Sequence, residues 1–366
     1  MKYCEKDLVR IAKRENNTKR SYLVVNPLQG KHVPVSPSMA LALFSNLAEE
    51  LRGKYSGEKL LLIGFAETAT AIGAQVAVSL ETKYIQTTRE VIADVDYLFF
   101  SEEHSHATEQ KLVKDDIDKE IDDTDRIIFV EDEVTTGNTI LNIINVLKKQ
   151  YSKSLKYAVA SLLNGMTNEY LETYKNEDID LYYLVKTDHS RYGEIADSYT
   201  GNGQYYEIND FAKSKISVID IEGYMNARRV VESKNYELAC SKLSNKVIEH
   251  LGANYVDSVL VVGTEEFMFP ALYIGKRLEE KGYKVRCHST TRSPITVSKE
   301  SDYPLHTGYA LRSLYDSNRE TFIYDIDHYD QVIVITDAKF ADEQGLQTLI
   351  AALKIKNSKI KIYRWC

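Results

Sequence analysis

One stretch constrains the fold more than any other: Ile127-Ile128-Phe129-Val130-Glu131-Asp132-Glu133-Val134-Thr135-Thr136-Gly137-Asn138-Thr139. Four consecutive apolar residues, Ile127 to Val130, predict a strand buried on both faces, as in a parallel sheet. Glu131 and Asp132 are expected where that strand ends. A hydroxyl-rich turn follows, and then Ile140, Ile143, Ile144 and Leu147 recur at helical spacing up to Gln150. A strand, a turn and a helix in this order aim the free N–H groups of the turn and helix start at an anion, which the helix dipole also favours. Thr135, Thr136 and Thr139 add hydroxyl donors around Asn138, and Gly137 lets the backbone come close. Hydrogen bonds to a charged group contribute about 1.5–3 kcal/mol each, so a few converging donors suffice for a phosphate. Glu131 and Asp132 accept hydrogen bonds, which suits a pair of sugar hydroxyls. The plainer alternative is an ordinary strand–turn–helix with an acidic exit. Two acids, three threonines and a glycine in register argue against it.

This pattern resembles the PRPP-binding motif of the type I phosphoribosyltransferases. It is most similar to the orotate-phosphoribosyltransferase version, Val-Glu-Asp followed by Thr-Thr-Gly. The resemblance implies that Thr135, Thr136, Gly137, Asn138 and Thr139 cradle the 5′-phosphate of PRPP. It also implies that Glu131 and Asp132 hold the ribose hydroxyls and Mg²⁺, which makes them the candidate metal residues as well as catalytic ones.

Two further strands are expected to carry site residues. Lys59 to Ile63 reads as buried strand, followed by Gly64-Phe65-Ala66-Glu67-Thr68 and a helix through Leu80. In the resembled family this loop holds pyrophosphate through backbone N–H groups. Glu67 departs from the family pattern, because a carboxylate beside pyrophosphate needs a bridging Mg²⁺ or an outward rotamer. Lys83 to Thr88 is the next strand, and Arg89 at its end resembles the arginine that orotate phosphoribosyltransferases carry there, suited to gripping phosphate oxygens. Tyr97 to Phe100 reads as a short strand before a polar run, in which His104, His106 and Lys111 correspond by position to the family loop that closes over the reacting centre. A metal at the Glu-Glu-His-Ser-His run is the alternative there, without a strict motif behind it. Strands alternating with helices predict an α/β doubly wound parallel sheet with ligands beyond the strand ends, so the Gly64 loop, Arg89 and the acidic motif are expected at one crevice.

The 366 residues are enough for two or three domains. A formal charge of −8 argues against a general nucleic-acid sheath. Four scattered cysteines without a CxxC suit a reducing cytosol. Met1 to Arg20 has no apolar core segment, so no signal peptide is expected, and the Leu60 to Leu80 stretch is broken by Glu67 and Gln75. A cytoplasmic protein is expected. Ser21 to Asn26 reads as a strand, with Lys31 and His32 in a basic loop that either reaches a ligand or is solvated. Lys114 to Asp125 reads as a solvated helix or turn, and Arg228 and Arg229 as solvent-exposed, the alternative being contact with an anionic ligand.

The second half repeats the first. Leu260-Val261-Val262-Gly263-Thr264-Glu265-Glu266 parallels Leu61 to Glu67, Thr290-Thr291-Arg292 parallels Thr87-Thr88-Arg89, and Gln331 to Asp337 parallels Ile127 to Asp132. Gly64 and Asp132 are 68 positions apart, and Gly263 and Asp337 are 74 apart. The second copy keeps only Asp337 of the acidic pair and has Lys339-Phe340-Ala341-Asp342 in place of the Thr-rich turn. Thr291-Arg292-Ser293-Pro294 matches the name-giving motif of the TRSP domain, which follows a phosphoribosyltransferase domain in proteins of bacterial tellurite-resistance and stress-response operons. The expected organisation is therefore two tandem type I phosphoribosyltransferase-like domains, the second degenerate. A transferase-like part spans 1–185, a linker or covering segment 186–234, and a TRSP part 235–366. Thr290, Thr291, Arg292 and Ser293 form a candidate anion site in the second part, the alternative being a turn stabilised by its own hydroxyls.

The resemblance implies an Mg²⁺-dependent transferase that uses PRPP and a base or amine acceptor to make or modify a nucleotide-like molecule. A homodimer and other proteins of the same operons are the partners it suggests. The alternative is a non-catalytic nucleotide or phosphosugar sensor on the same fold.

Overall fold

The computed structural model describes residues 2–15, 20–100, 110–207, 217–251, 257–339 and 343–366. In chain order the first strands are β1 (Arg10–Lys13), β2 (Tyr22–Val25), β3 (Leu60–Gly64), β4 (Lys83–Gln86), β5 (Tyr97–Phe100) and β6 (Gln110–Val113). Next come β7 (Arg126–Val134), β8 (Lys156–Asn164), β9 (Ile179–Lys186), β10 (Gln204–Glu207), β11 (Val218–Ile221) and β12 (Val231–Glu232). The last are β13 (Ser258–Gly263), β14 (Lys284–Ser289), β15 (Thr307–Arg312), β16 (Glu320–Tyr324), β17 (Gln331–Thr336) and β18 (Ile360–Trp365). The chain divides into two compact units that do not follow its order. The first holds Met1–Glu5, Leu41–Asp188 and Met225–Leu238, and the second holds Lys6–Ala40, His189–Tyr224 and Ala239–Cys366.

The first unit is built on a sheet of order β12-β4-β3-β7-β8-β9, parallel except for β12. Its central strands are apolar because helices cover both faces of such a sheet; Ile127, Ile128, Phe129 and Val130 are fully buried. The helix Asn138–Gln150 turns Ile140, Ile143, Ile144 and Leu147 inward. From β3 the chain goes to β4 on one side and then crosses to β7 on the other. The strand order therefore reverses between β3 and β7, which is where open α/β sheets bind ligands. Strand β7 continues through Glu131, Asp132 and Glu133 to Val134, beyond the expected end at Val130, because β8 pairs with it as far as Asn164.

The helix Thr70–Leu80 lies close on this sheet. A Cβ on Gly73 would meet the Tyr84 ring at 2.9 Å and the Gly64 Cα at 3.0 Å. The Tyr84 hydroxyl donates to the Thr70 carbonyl at 2.7 Å, which fixes the helix start over β3. Arg229, expected in solvent, donates to Asp116 through Nε and Nη2 at 2.7 and 2.6 Å, and Arg228 is buried. Asp116 is one acid of a segment that otherwise reads as a solvated face.

The second unit carries a parallel sheet of order β11-β18-β17-β13-β14. Strands β14, β13, β17 and β18 take the order of β4, β3, β7 and β8, so the repeat seen in the sequence is a repeat of topology. The fifth place differs: β9 follows β8 in the chain, whereas β11 precedes β13. The stretch between the repeats thus supplies edge strands, with β10 pairing β15, β11 pairing β18 and β12 pairing β4. The hairpin β1–β2 belongs to the second unit, where Ala12, Leu23 and Val25 pack with Ile295, Tyr303, Leu305 and Tyr324. Lys31 and His32 are buried rather than solvated, and Lys31 donates to the carbonyls of Glu265 and Thr290 at 2.9 and 2.8 Å. No helix among the described residues is long and apolar enough to cross a membrane.

Gly73→Val sets a branched side chain against an aromatic ring and a backbone with no room to retreat. Overpacking of this kind costs typically about 1–3 kcal/mol, so the urea midpoint should fall. An unchanged midpoint would contradict the close helix–strand approach.

Candidate functional site

Three loops of the first unit follow parallel strands that are neighbours in the sheet. The loop after β3 is held from two sides. The Ala66 N–H donates to the Thr87 hydroxyl at 2.8 Å, that hydroxyl donates to Gln110 Oε1, and Gln110 Nε2 returns a bond to the Ala66 carbonyl at 2.6 Å. The ring is closed and buried, so the loop backbone is fixed by its neighbours. The Thr68 hydroxyl donates to Asp132 Oδ1 at 2.9 Å, which joins the same loop to β7. The Ala66–Glu67 peptide is cis. Phe65, Ala66 and Glu67 are buried and Thr68 is half-buried. Gly64 ends β3 against Tyr84, whose hydroxyl would lie 2.5 Å from an added Cβ, so packing alone requires glycine there.

On β7 the acids Glu131, Asp132 and Glu133 are half-buried. Asp132 turns toward Thr68, and one Glu131 carboxylate oxygen accepts the Asp132 N–H at 3.2 Å, so the two acids lie side by side. Burial pushes the Asp132 carboxyl above its ordinary value, the Glu133 charge adds to the rise, and the Thr68 hydroxyl opposes both. Sequence reading passed over Glu133 as a site residue. The signal was present in the unbroken run of three acids. Gln110 was also missed, because it reads as one more polar residue of the His/Lys run.

Beyond β7, Thr135 and Thr136 are half-buried and Gly137 has φ 75°. A Cβ at Gly137 would lie 2.2 Å from the Tyr174 hydroxyl, which donates to the Gly137 carbonyl at 2.7 Å. Both the backbone angle and the tyrosine therefore require glycine. Gly137 caps the helix with no side-chain hydrogen bond, while the Asn138 N–H reaches the Thr136 hydroxyl at 3.3 Å. Thr139 follows in the first helical turn, half-buried. An uncapped helix start beside hydroxyls retains N–H groups for an anion.

Arg89, half-buried, directly follows Thr88, which exchanges backbone hydrogen bonds with Lys111 at 2.8 and 3.1 Å. The Lys111 amine lies 4.8 Å from the Tyr97 ring centroid. Structure thus brings the roots of the Arg89 and Lys111 segments together. His104 and His106 lie outside the described residues.

The second unit repeats much of the backbone frame. Thr87 N–H donates to Gly64 and Thr290 N–H to Gly263, at 2.9 and 3.2 Å. The Glu265 N–H donates to the Thr290 hydroxyl at 3.0 Å, as Ala66 does to Thr87. Thr291 bridges to Phe322 as Thr88 does to Lys111. The Ser293 N–H donates to the Thr291 hydroxyl at 3.2 Å as Glu90 does to Thr88 at 2.9 Å. The side chains differ. Arg292 pairs with Glu265 at 2.8 Å and Glu266 at 3.3 Å, and Asp337 accepts from the hydroxyls of Tyr315 and Tyr224. Among the described residues no group of three or more His, Cys, Asp or Glu is arranged to hold a metal ion by itself.

Residues 8–188 match the family model described as phosphoribosyl transferase, and residues 228–353 match that of the TRSP domain C-terminal to it. Similar solved structures include the adenine phosphoribosyltransferase of Rhodothermus marinus, at 14% identity over 50% of this chain and 96% of that one, with a TM-score of 0.36. That of Thermoanaerobacter pseudethanolicus is 16% identical over 50% and 97%, also at 0.36. That of Trypanosoma brucei, determined with AMP, pyrophosphate and ribose-5-phosphate, is 13% identical over 50% and 77%, at 0.35. No curated protein matches the chain. The chain belongs to the family in which a phosphoribosyl transferase domain is followed by a TRSP domain.

Proposed function

We propose that the first unit is an Mg²⁺-dependent phosphoribosyltransferase that takes PRPP and joins its sugar phosphate to the nitrogen of a base or amine. The observation that carries this reading is the convergence, at the point where strand order reverses, of an uncapped helix start with hydroxyls and a strand end with carboxylates. Those two donor sets match the two ends of a ribose 5-phosphate. Thr135, Thr136, Gly137, Asn138 and Thr139 would hold the phosphate, and Glu131 and Asp132 the ribose hydroxyls. The loop Gly64, Phe65, Ala66, Glu67 and Thr68 and the cation of Arg89 would meet the pyrophosphate. Lys111, with His104 and His106, would close over it. In the reaction the acceptor nitrogen bonds to C1 of the ribose as the C1–O bond to pyrophosphate breaks, and the acceptor N–H loses its proton. Catalysis would come mainly from positioning and from charge held in place in advance.

The donor set suits Mg²⁺. The carboxylates of Glu131 and Asp132 are hard oxygen ligands, and this ion is commonly held by one or two carboxylates together with substrate phosphate oxygens. When bound, it supplies positive charge against the leaving pyrophosphate. The chain's own residues orient the sugar and fix the loop through the Thr87–Gln110 ring.

A second reading, a sensor that binds a nucleotide or phosphosugar without turnover, is favoured by one observation: Glu67 sits buried in the loop that would meet pyrophosphate. Turnover separates the two. Pyrophosphate release from PRPP with a panel of bases is expected; saturable binding without release would establish the sensor.

Glu131→Gln with Asp132→Asn should weaken PRPP binding by about tenfold or more, since each amide still accepts a hydrogen bond but loses the charge, which is worth about 1 kcal/mol per bond. Equal calorimetric affinities would remove the two acids from the site. Binding should also strengthen as pH rises through the elevated Asp132 value, because the ionised carboxylate is the acceptor. Glu133→Gln takes away one cause of that elevation, so the acid limb of the binding profile should move to lower pH. A limb that stays in place, or moves up, would contradict the Asp132 assignment.

A further inference from the structure

The two units share one loop frame, and among their side-chain differences one fills space that the other leaves open. Where the first has Ala66, whose side chain is one methyl group, the second has Glu265. The Glu265 carboxylate is almost wholly buried and meets Arg292 Nε at 2.8 Å, Arg319 Nε at 3.3 Å and the Ser313 hydroxyl. Its neighbour Glu266 meets Arg292 Nη2 at 3.3 Å, and Arg319 Nη2 also reaches Ser313 at 3.0 Å. Lys31 closes the group from behind, donating to the carbonyls of Glu265 and Thr290. Two guanidinium groups and a hydroxyl therefore converge on a loop whose counterpart is read above as the pyrophosphate loop. The anion they enclose is the chain's own. Glu265 is held there with φ 49°, a left-handed conformation that residues with a side chain seldom adopt.

We infer that the second unit contains a complete anion pocket, formed by Arg292, Arg319 and Ser313, that is occupied from within by Glu265 and Glu266. This rests on the reading of the Gly64–Thr68 loop as a pyrophosphate site only for the class of ligand, a di- or monophosphate anion. The candidate anion site at Thr290, Thr291, Arg292 and Ser293 then has its charge already satisfied, and the TRSP copy takes no phosphate ligand at this place. Guanidinium groups largely withdrawn from water, as those of Arg292 and Arg319 are, require a partner, so removing the internal carboxylates should hand the pocket to an external anion.

The test uses the full chain and inorganic pyrophosphate. Calorimetry should find that Glu265→Ala with Glu266→Ala, which empties the space the two side chains fill, binds one equivalent more than the parent chain, and that adding Arg292→Gln abolishes the extra event. Because the readout is a difference between chains, it holds whether or not the first unit binds pyrophosphate, so failure of the transferase reading is seen separately. Arg292→Gln in the otherwise unchanged chain should leave pyrophosphate stoichiometry as it was. A lost equivalent there, or no gain in the double variant, overturns the inference. If the double variant is too unstable to titrate, its melting temperature is compared in pyrophosphate and in sodium chloride of equal ionic strength. Selective stabilisation by pyrophosphate, greater than in the parent, supports the occupied pocket, and equal effects of the two salts overturn it.

Discussion

The hydrogen bond from Thr68 to Asp132 joins the loop after β3 to the end of β7, and the rest of the first site depends on it. On one side stands the loop after β3, already held by the closed ring through Ala66, Thr87 and Gln110. On the other stands the acidic end of β7, leading into the turn that Tyr174 supports at Gly137. A bond to a charged group is worth about 1.5–3 kcal/mol, enough to keep the loop in register with the strand end. Parallel pairing makes this arrangement available, because every strand of such a sheet releases its chain at the same edge.

The two units separate what the frame requires from what the chemistry requires. Gly64 and Gly263, Thr87 and Thr290, and Thr88 and Thr291 keep the same backbone bonds in both. Side chains set on that frame diverge: Ala66 against Glu265, Lys111 against Phe322, and a Thr-rich turn in the first unit only. A shared fold therefore does not transfer the activity from one half to the other. Conserving the scaffold while filling one pocket from within fits a chain that uses its two halves differently.

Much of this was legible in the sequence, and for a physical reason. A strand buried on both faces must be apolar along its length, so Leu61 to Ile63, Ile127 to Val130 and Val259 to Val262 announce themselves. The alignment of Gly64 with Gly263 and of Asp132 with Asp337 follows, because glycine at close approaches and polar residues at strand ends are hard to replace. Pairing partners were less legible. Periodicity cannot tell that Leu23 and Val25 pack with Ile295 and Tyr324, nor that β11 rather than a following strand completes the second sheet. It also cannot distinguish a solvated lysine from one folded inward, and Lys31 is fully buried because two carbonyls from distant segments accept its protons. The end of β7 was misplaced for a similar reason, since three acids look like a loop until β8 is seen pairing alongside them.

The most direct measurement is a crystal structure of the full chain soaked with PRPP and Mg²⁺. The 5′-phosphate is expected within hydrogen-bond distance of the turn from Thr135 to Thr139, with the ribose hydroxyls against Glu131 and Asp132. A PRPP molecule seated elsewhere, or a crevice that stays empty at saturating ligand, would contradict the account.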